Sequence, residues 1–253
     1  MIGLISLLKE IQGKPKAIFM AGPAGSGKSF ISKQLVPSNF NTINVDDTYE
    51  ELLKSSGIGM KLANMSPDEL KKSGELMGQA RKATDTKFQD VTKDAKNLLI
   101  DSVGGSSKML LKKKAELESL GYDTAMIMTY VSPITSLERN KQRDRSLLPS
   151  IVIRSWRDVN TNIDAYRQAF GDDFTLVNLD PEDANKDFDE NFIYKNYIEP
   201  LGKIGKEKTP EEKAKSKAES EKIYSDIKQT LKSQPEFDTV EQAKTKITNF
   251  INK

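Results

Sequence analysis

The sequence predicts an α/β protein: a five-stranded parallel sheet in strand order 2-3-1-4-5, sandwiched by helices and followed by a helical C-terminal extension. Three observations predict it. Five short apolar runs recur with helical patterns between them, which is how βα units around a parallel sheet read. The first run leads directly into the glycine-rich octet Gly22-Pro23-Ala24-Gly25-Ser26-Gly27-Lys28-Ser29, a strand-to-helix turn of the phosphate-binding type. At 253 residues, the chain is long enough for one such domain with an appendage.

The elements follow in order. Ile2, Leu4, Ile5, Leu7, Leu8 and Ile11 recur at helical spacing, predicting a helix over residues 2–12 before Gly13 and Pro15. Ala17-Ile18-Phe19-Met20-Ala21 is too short for a helix and is bounded by Pro15 and Gly22, so it reads as the first buried strand. Phe30, Ile31 and Leu35 then mark the helix that opens after the octet. Thr42 to Val45 reads as the second strand. A polar helical insert covers about residues 48–96, with a helix start at Ser66-Pro67-Asp68-Glu69, and is placed to cover an acceptor site.

Asn97 to Asp101 forms the third strand, followed by a turn at Gly104-Gly105-Ser106 and a helix around Lys108 to Leu120. Ala125 to Val131 and Phe174 to Leu179 are the fourth and fifth strands. After Pro200 the composition shifts to Lys, Glu, Ser, Ala and Thr, with sparse anchors at Ile223, Ile227, Leu231, Val240, Ile247 and Ile251. Two surface helices split near Pro235 fit that pattern. The division expected is a domain over 1–203, with the arginine-bearing segment at about 138–149, and an extension over 204–253.

Composition removes several chemistries. There is no cysteine and no histidine, hence no disulfide, no thiolate or imidazole metal ligand and no imidazole base. Acid-base work falls to carboxylates, lysine or water. The balance of 39 basic and 37 acidic residues gives a net charge of +2, which neither demands nor excludes a polyanionic partner. The near-equal Lys and Glu content of the tail argues against strong nonspecific nucleic-acid binding, and its helices are either a solvated appendage or a partner-binding arm. The first ten residues carry no cationic leader or cleavage site and no run reaches the length of a membrane span, so the cytoplasm is the expected location.

The octet matches G-x-x-x-x-G-K-[ST] at Gly22, Gly27, Lys28 and Ser29. Such a loop turns backbone N–H groups toward the phosphates of a nucleotide, and the helix that follows adds its positive N-terminal end. The candidate ATP-binding set is Gly22, Pro23, Ala24, Gly25, Ser26, Gly27, Lys28, Ser29 and Phe30. Lys28 is the phosphate contact, and the Ser29 hydroxyl is a ligand for Mg²⁺.

Three further groups lie where a parallel sheet gathers its ligands, beyond the carboxyl ends of the strands. Asp46, in Asn44-Val45-Asp46-Asp47, is either a base for a hydroxyl proton or, with Asp47, a cap for a helix beginning near Thr48. Asp101 ends the third strand and either organises Mg²⁺, hydrogen-bonds the loop, meets the acceptor or caps the next helix. Arg139 and Arg143, spaced four apart after the fourth strand, are either a clamp for phosphates or a solvated helix face. Trp156 sits among Val152, Ile153 and Val159 and is expected in the core.

In these segments, over about Lys16 to Leu179, the chain resembles the branch of P-loop kinases that holds phage polynucleotide kinase and the zeta-toxin kinases, and also phage P-loop proteins of similar length. The order carries the likeness: the octet, Ile43-Asn44-Val45-Asp46-Asp47, Leu99-Ile100-Asp101-Ser102, Gly121-Tyr122, Glu138-Arg139-Asn140 with Arg143, and the proline-led stretch Leu148 to Trp156. The resemblance implies Asp46 as general base and Arg139 and Arg143 as lid residues over the ATP phosphates. It also implies an arginine soon after the base, where this chain has Thr48-Tyr49-Glu50-Glu51. That departure speaks against an ordinary polynucleotide 5′ end or the zeta toxins' nucleotide sugar as acceptor, and Arg81 and Lys82 of the insert are either substitutes or exposed helix positions.

The function expected is transfer of the ATP γ-phosphate to a hydroxyl, with Lys28, Asp46, Arg139 and Arg143 as the catalytic set and Ser29 and Asp101 on Mg²⁺. Nucleic-acid 5′ hydroxyls, hydroxylated bases, nucleotides and nucleotide sugars are the acceptor classes. A nucleotide-dependent binding module is the alternative. A motor-type ATPase fits less well, because Ser102 stands where a water-activating glutamate is needed.

Overall fold

The computed structural model describes residues 13–60, 65–143, 145–181, 210–232 and 235–253. The helix expected over 2–12 and the boundary expected at 203/204 lie outside them. Five strands are present: β1 (Lys16–Ala21), β2 (Asn41–Ile43), β3 (Leu98–Asp101), β4 (Asp123–Tyr130) and β5 (Phe174–Asn178). They pair in the order β2-β3-β1-β4-β5, every pair parallel, as the sequence predicts. The helices among the described residues are α1 (Lys28–Leu35), α2 (Val45–Ser56), α3 (Pro67–Lys93), α4 (Ser107–Ser119), α5 (Pro133–Lys141), α6 (Pro149–Asn160), α7 (Ile163–Phe170), α8 (Pro210–Lys232) and α9 (Val240–Asn252). None of them is long and apolar enough to cross a membrane.

Strand alternation divides the core into two layers. Ala17, Phe19 and Ala21 of β1, with Met126, Met128 and Tyr130 of β4, pack against Leu110 and Leu117 of α4, Ile153 and Trp156 of α6 and Tyr166 of α7. Ile18 and Met20, with Ala125 and Ile127, face the opposite way onto Ile31 and Leu35 of α1. Both faces of the central strands are thus covered, which is why they read as continuous apolar runs. Trp156 is fully buried and donates its indole N–H to the Val131 carbonyl at 2.6 Å.

The C-terminal helices contribute to this core. Ile223 and Ile227 of α8 join the first layer, and Ala243, Ile247 and Phe250 of α9 join the second. Between them, Asp238 runs parallel to β5: its N–H donates to the Leu176 carbonyl at 2.7 Å and its carboxylate accepts from the Leu176 N–H at 3.1 Å. The few apolar residues of the tail therefore suffice, because they fall on one stripe of each helix.

The insert is the helical pair α2 and α3, joined by a small cluster of Tyr49, Leu53, Leu76 and Ala80. Helix α3 starts in the expected capping box, Ser66 and Glu69 exchanging hydrogen bonds. Helix α2 starts three residues earlier than expected. Asn44 takes the cap, accepting the Asp46 N–H at 2.8 Å, so the second strand stops at Ile43 and Asp46 and Asp47 occupy the first helical turn. Two carboxylates there complement the helix dipole.

Candidate active site

Sheet order decides what meets the glycine-rich octet. The octet leaves β1, Asp101 ends the adjacent β3 with Met20 as its register partner, and Asn44 and Asp46 follow β2 one strand further out. These strand ends, with Arg139 and Arg143 from the far side, border a cleft of about 720 Å³.

The octet divides into a base beneath the cleft and a segment that lines it. Gly22, Pro23 and Ala24 are buried beneath the cleft, whereas Gly25 to Phe30 line it. Gly22 has no room for a side chain, since a Cβ there would collide with the hydroxyls of Thr129 and Ser26. Those hydroxyls fix the loop from below, Thr129 donating to Ser26 at 2.7 Å, and Ser136 donates to the Ala24 carbonyl. Gly27 caps α1 in the left-handed region at φ 87°, a conformation glycine adopts without steric cost. Gly25 and Gly27, with Lys28 and Ser29 at the start of α1, thus line the cleft, where a helix N-terminus favours phosphate.

The Lys28 ammonium donates to the Gly22 carbonyl at 2.8 Å. Burial lowers its pKa, a loss that the charges of Asp101 and Asp46 partly offset and that of Arg143 adds to. Asp101 shows the opposite effect: burial raises its carboxyl, against the attraction of Lys28. Its Oδ2 accepts from the Asn44 amide at 3.1 Å, and its Oδ1 is buried with no hydrogen-bond partner. An anionic oxygen left unpaired beside a phosphate loop fits a cation or its water. Ser29 is exposed at the start of α1 and lines the same cleft, so these two are the residues that could hold a cation there.

The two arginines differ from the expected shared helix face. Arg139 lies in the last turn of α5, donating to the Gly25 carbonyl at 3.2 Å and to the Leu179 carbonyl at 2.9 Å. Arg143 lies beyond the end of the helix and is exposed at the cleft. The helix stops because the buried Asn140 side chain binds the Leu147 backbone from both ends, at 2.9 and 3.0 Å, and bends the chain into a loop.

That loop delivers a residue without an assigned role in the sequence. Arg145 is buried, with its guanidinium 3.0 Å from Asp46 Oδ1 and 2.9 Å from Glu50 Oε1. Its one sequence signal is membership of a basic run, shared with Arg139, Lys141 and Arg143. Glu50 and Asn44 are likewise brought into the cleft. Arg81 and Lys82 are exposed on α3 and are not among the cleft's lining residues.

Solved structures share this architecture. A chain of the AvrRxo1-ORF1:AvrRxo1-ORF2 complex with sulphate ions superposes with a TM-score of 0.54 at 15% identity, over 87% of this chain and 82% of that one. The same complex with ATP gives 0.54 at 14% identity, over the same shares of both chains, 87% and 82%. A chain of the PezAT chromosomal toxin-antitoxin system of Streptococcus pneumoniae aligns at 15% identity over 85% and 87% of the two chains, with a TM-score of 0.45. No curated protein matches the chain in sequence. A family model does, over residues 6–191, a span that holds the octet, Asp46, Asp101 and the three arginines. The chain belongs to the Zeta toxin family.

Proposed function

We propose that this chain is an ATP- and Mg²⁺-dependent kinase that transfers the γ-phosphate to a hydroxyl of its acceptor. The observation that carries the reading is the pairing, in one cleft, of a phosphate loop with a half-exposed carboxylate, Asp46, in the helical turn that follows β2, two strands from the loop. A nucleotide switch needs the loop alone; a carboxylate aimed at the same space adds a proton acceptor. The ATP in the solved AvrRxo1 complex supports ATP as the donor.

In the reaction, the acceptor hydroxyl attacks the γ-phosphorus of ATP while its proton passes to Asp46. The new O–P bond forms as the bond from that phosphorus to the bridging oxygen breaks, leaving its electron pair on ADP. Lys28 and the loop amides meet the charge on the β- and γ-phosphates, and Arg143 adds a guanidinium from the cleft rim. Arg139, held between Gly25 and Leu179, keeps the loop in the shape that receives them. Ser29 and Asp101 would hold Mg²⁺, which when bound neutralises phosphate charge.

The acceptor classes are a nucleic-acid 5′ hydroxyl or hydroxylated base and a nucleotide or nucleotide sugar. The test is incubation with γ-labelled ATP and a panel of oligonucleotides, modified DNA, nucleosides and nucleotide sugars. Label in one class is the expected result. ATP bound without transfer to any of them contradicts a kinase and favours a switch.

A further inference from the structure

We infer that Arg145 is the positioning residue for Asp46, holding the base at a fixed angle to the phosphate loop; the inference rests on the kinase reading above. The side chain of Arg145 is 8% exposed, and a guanidinium taken out of water is tolerated only when its charge and donors are matched. Two carboxylates match it. Nη2 meets Asp46 Oδ1 at 3.0 Å and Nε meets Glu50 Oε1 at 2.9 Å, while the Tyr49 ring lies 5.6 Å from the guanidinium carbon. Asp46 and Glu50 stand four residues apart on α2 and so share one helix face.

The partners are not symmetrical. The side chain of Asp46 is 48% exposed, so one side of its carboxylate is fixed against a buried cation while the remainder faces the cleft. An isolated aspartate on the first turn of a helix has free rotamers; this one does not. Fixing the direction of a base is worth rate, because transfer requires the reacting atoms aligned. Glu50 takes the second half of the guanidinium and stops it from rotating away.

The same loop carries Arg143 at the cleft rim and Arg145 on the base, and its path is set by the Asn140–Leu147 pair. Phosphate contact and base placement are therefore delivered by one segment. Arg145 forms and breaks no bond in the transfer. The proton still goes to Asp46.

The experiment follows loss of the γ-phosphate from labelled ATP, to water or to an acceptor of the panel, with ATP affinity measured alongside. Arg145→Met is expected to lower turnover by roughly tenfold or more while leaving the ATP Kd within about threefold. Arg145→Lys keeps the charge but cannot bridge both carboxylates, and should recover part of the loss. In an Asp46→Asn background, Arg145→Met should cause no further fall, because there is no base left to position. Should Arg145→Met not fold, Glu50→Gln provides the second arm: reduced turnover at unchanged ATP affinity.

Turnover of Arg145→Met within about twofold of the wild type overturns the inference, as does an equal further loss in the Asp46→Asn background. Asp46→Asn turning over at the wild-type rate, or a wild type with no turnover, overturns the kinase reading itself. Asp46→Asn inactive beside a fully active Arg145→Met overturns the positioning role alone.

Discussion

Asp101 carries the cost of the site in one side chain. Burial raises its carboxyl more than Lys28 lowers it, and Oδ1 has no partner. A group whose folded-state pKa lies above its unfolded value stabilises the fold at low pH, and that contribution is lost as pH rises through the folded value. At neutral pH the ionised form therefore subtracts from stability. Asp101→Asn should raise Tm by about 3 °C near pH 7, or about 1 kcal/mol. The gain should shrink as pH falls into the acid range, and Mg²⁺-supported turnover should be lost; calorimetry across pH with a parallel assay checks both. At the same scale, Gly22→Ala forces a methyl onto Thr129 and Ser26. It should weaken ATP binding by roughly tenfold or more in a direct titration. The octet was legible because a phosphate loop is written in consecutive residues. Arg145 was not, because its direction depends on a bend closed by Asn140 and Leu147, and a run of basic residues does not say which one turns inward.

At the scale of elements, α9 separates what a pattern shows from what it omits. Thirteen residues with a thin apolar stripe read as a surface helix; the structure buries Ala243, Ile247 and Phe250 against α1 and the sheet. The face that receives them, Ile18, Ile31 and Ile127, is distant in sequence, so its need for a cover is not visible locally. Phe250→Ala should cost about 3–4 kcal/mol in urea unfolding and Ile247→Ala about 3 kcal/mol; an exposed tail would give changes near zero. Helix α2 gives a similar lesson. The apolar pattern extends the second strand through Asn44 and sets the helix near Thr48, whereas Asn44, a favoured cap residue, starts it at Val45. Asn44→Ala should remove about 1 kcal/mol of stability. It also removes the amide that holds Asp101, so ATP turnover should fall in the same variant.

For the whole molecule, strand number, direction and order were all legible, because five apolar runs between helical segments leave few arrangements once the first of them carries a phosphate loop. Sheet order then does the chemical work, setting Asp101 beside the octet and Asp46 one strand beyond it. This juxtaposition is what would let Asp46 act as the base in phosphate transfer. The most direct measurement compares ATP affinity and γ-phosphate transfer in the wild type and in Asp46→Asn. The Kd for ATP should change by no more than about threefold, and transfer should fall by roughly a hundredfold or more. Transfer unchanged by Asp46→Asn, or lost only in proportion to ATP binding, would contradict Asp46 as the base.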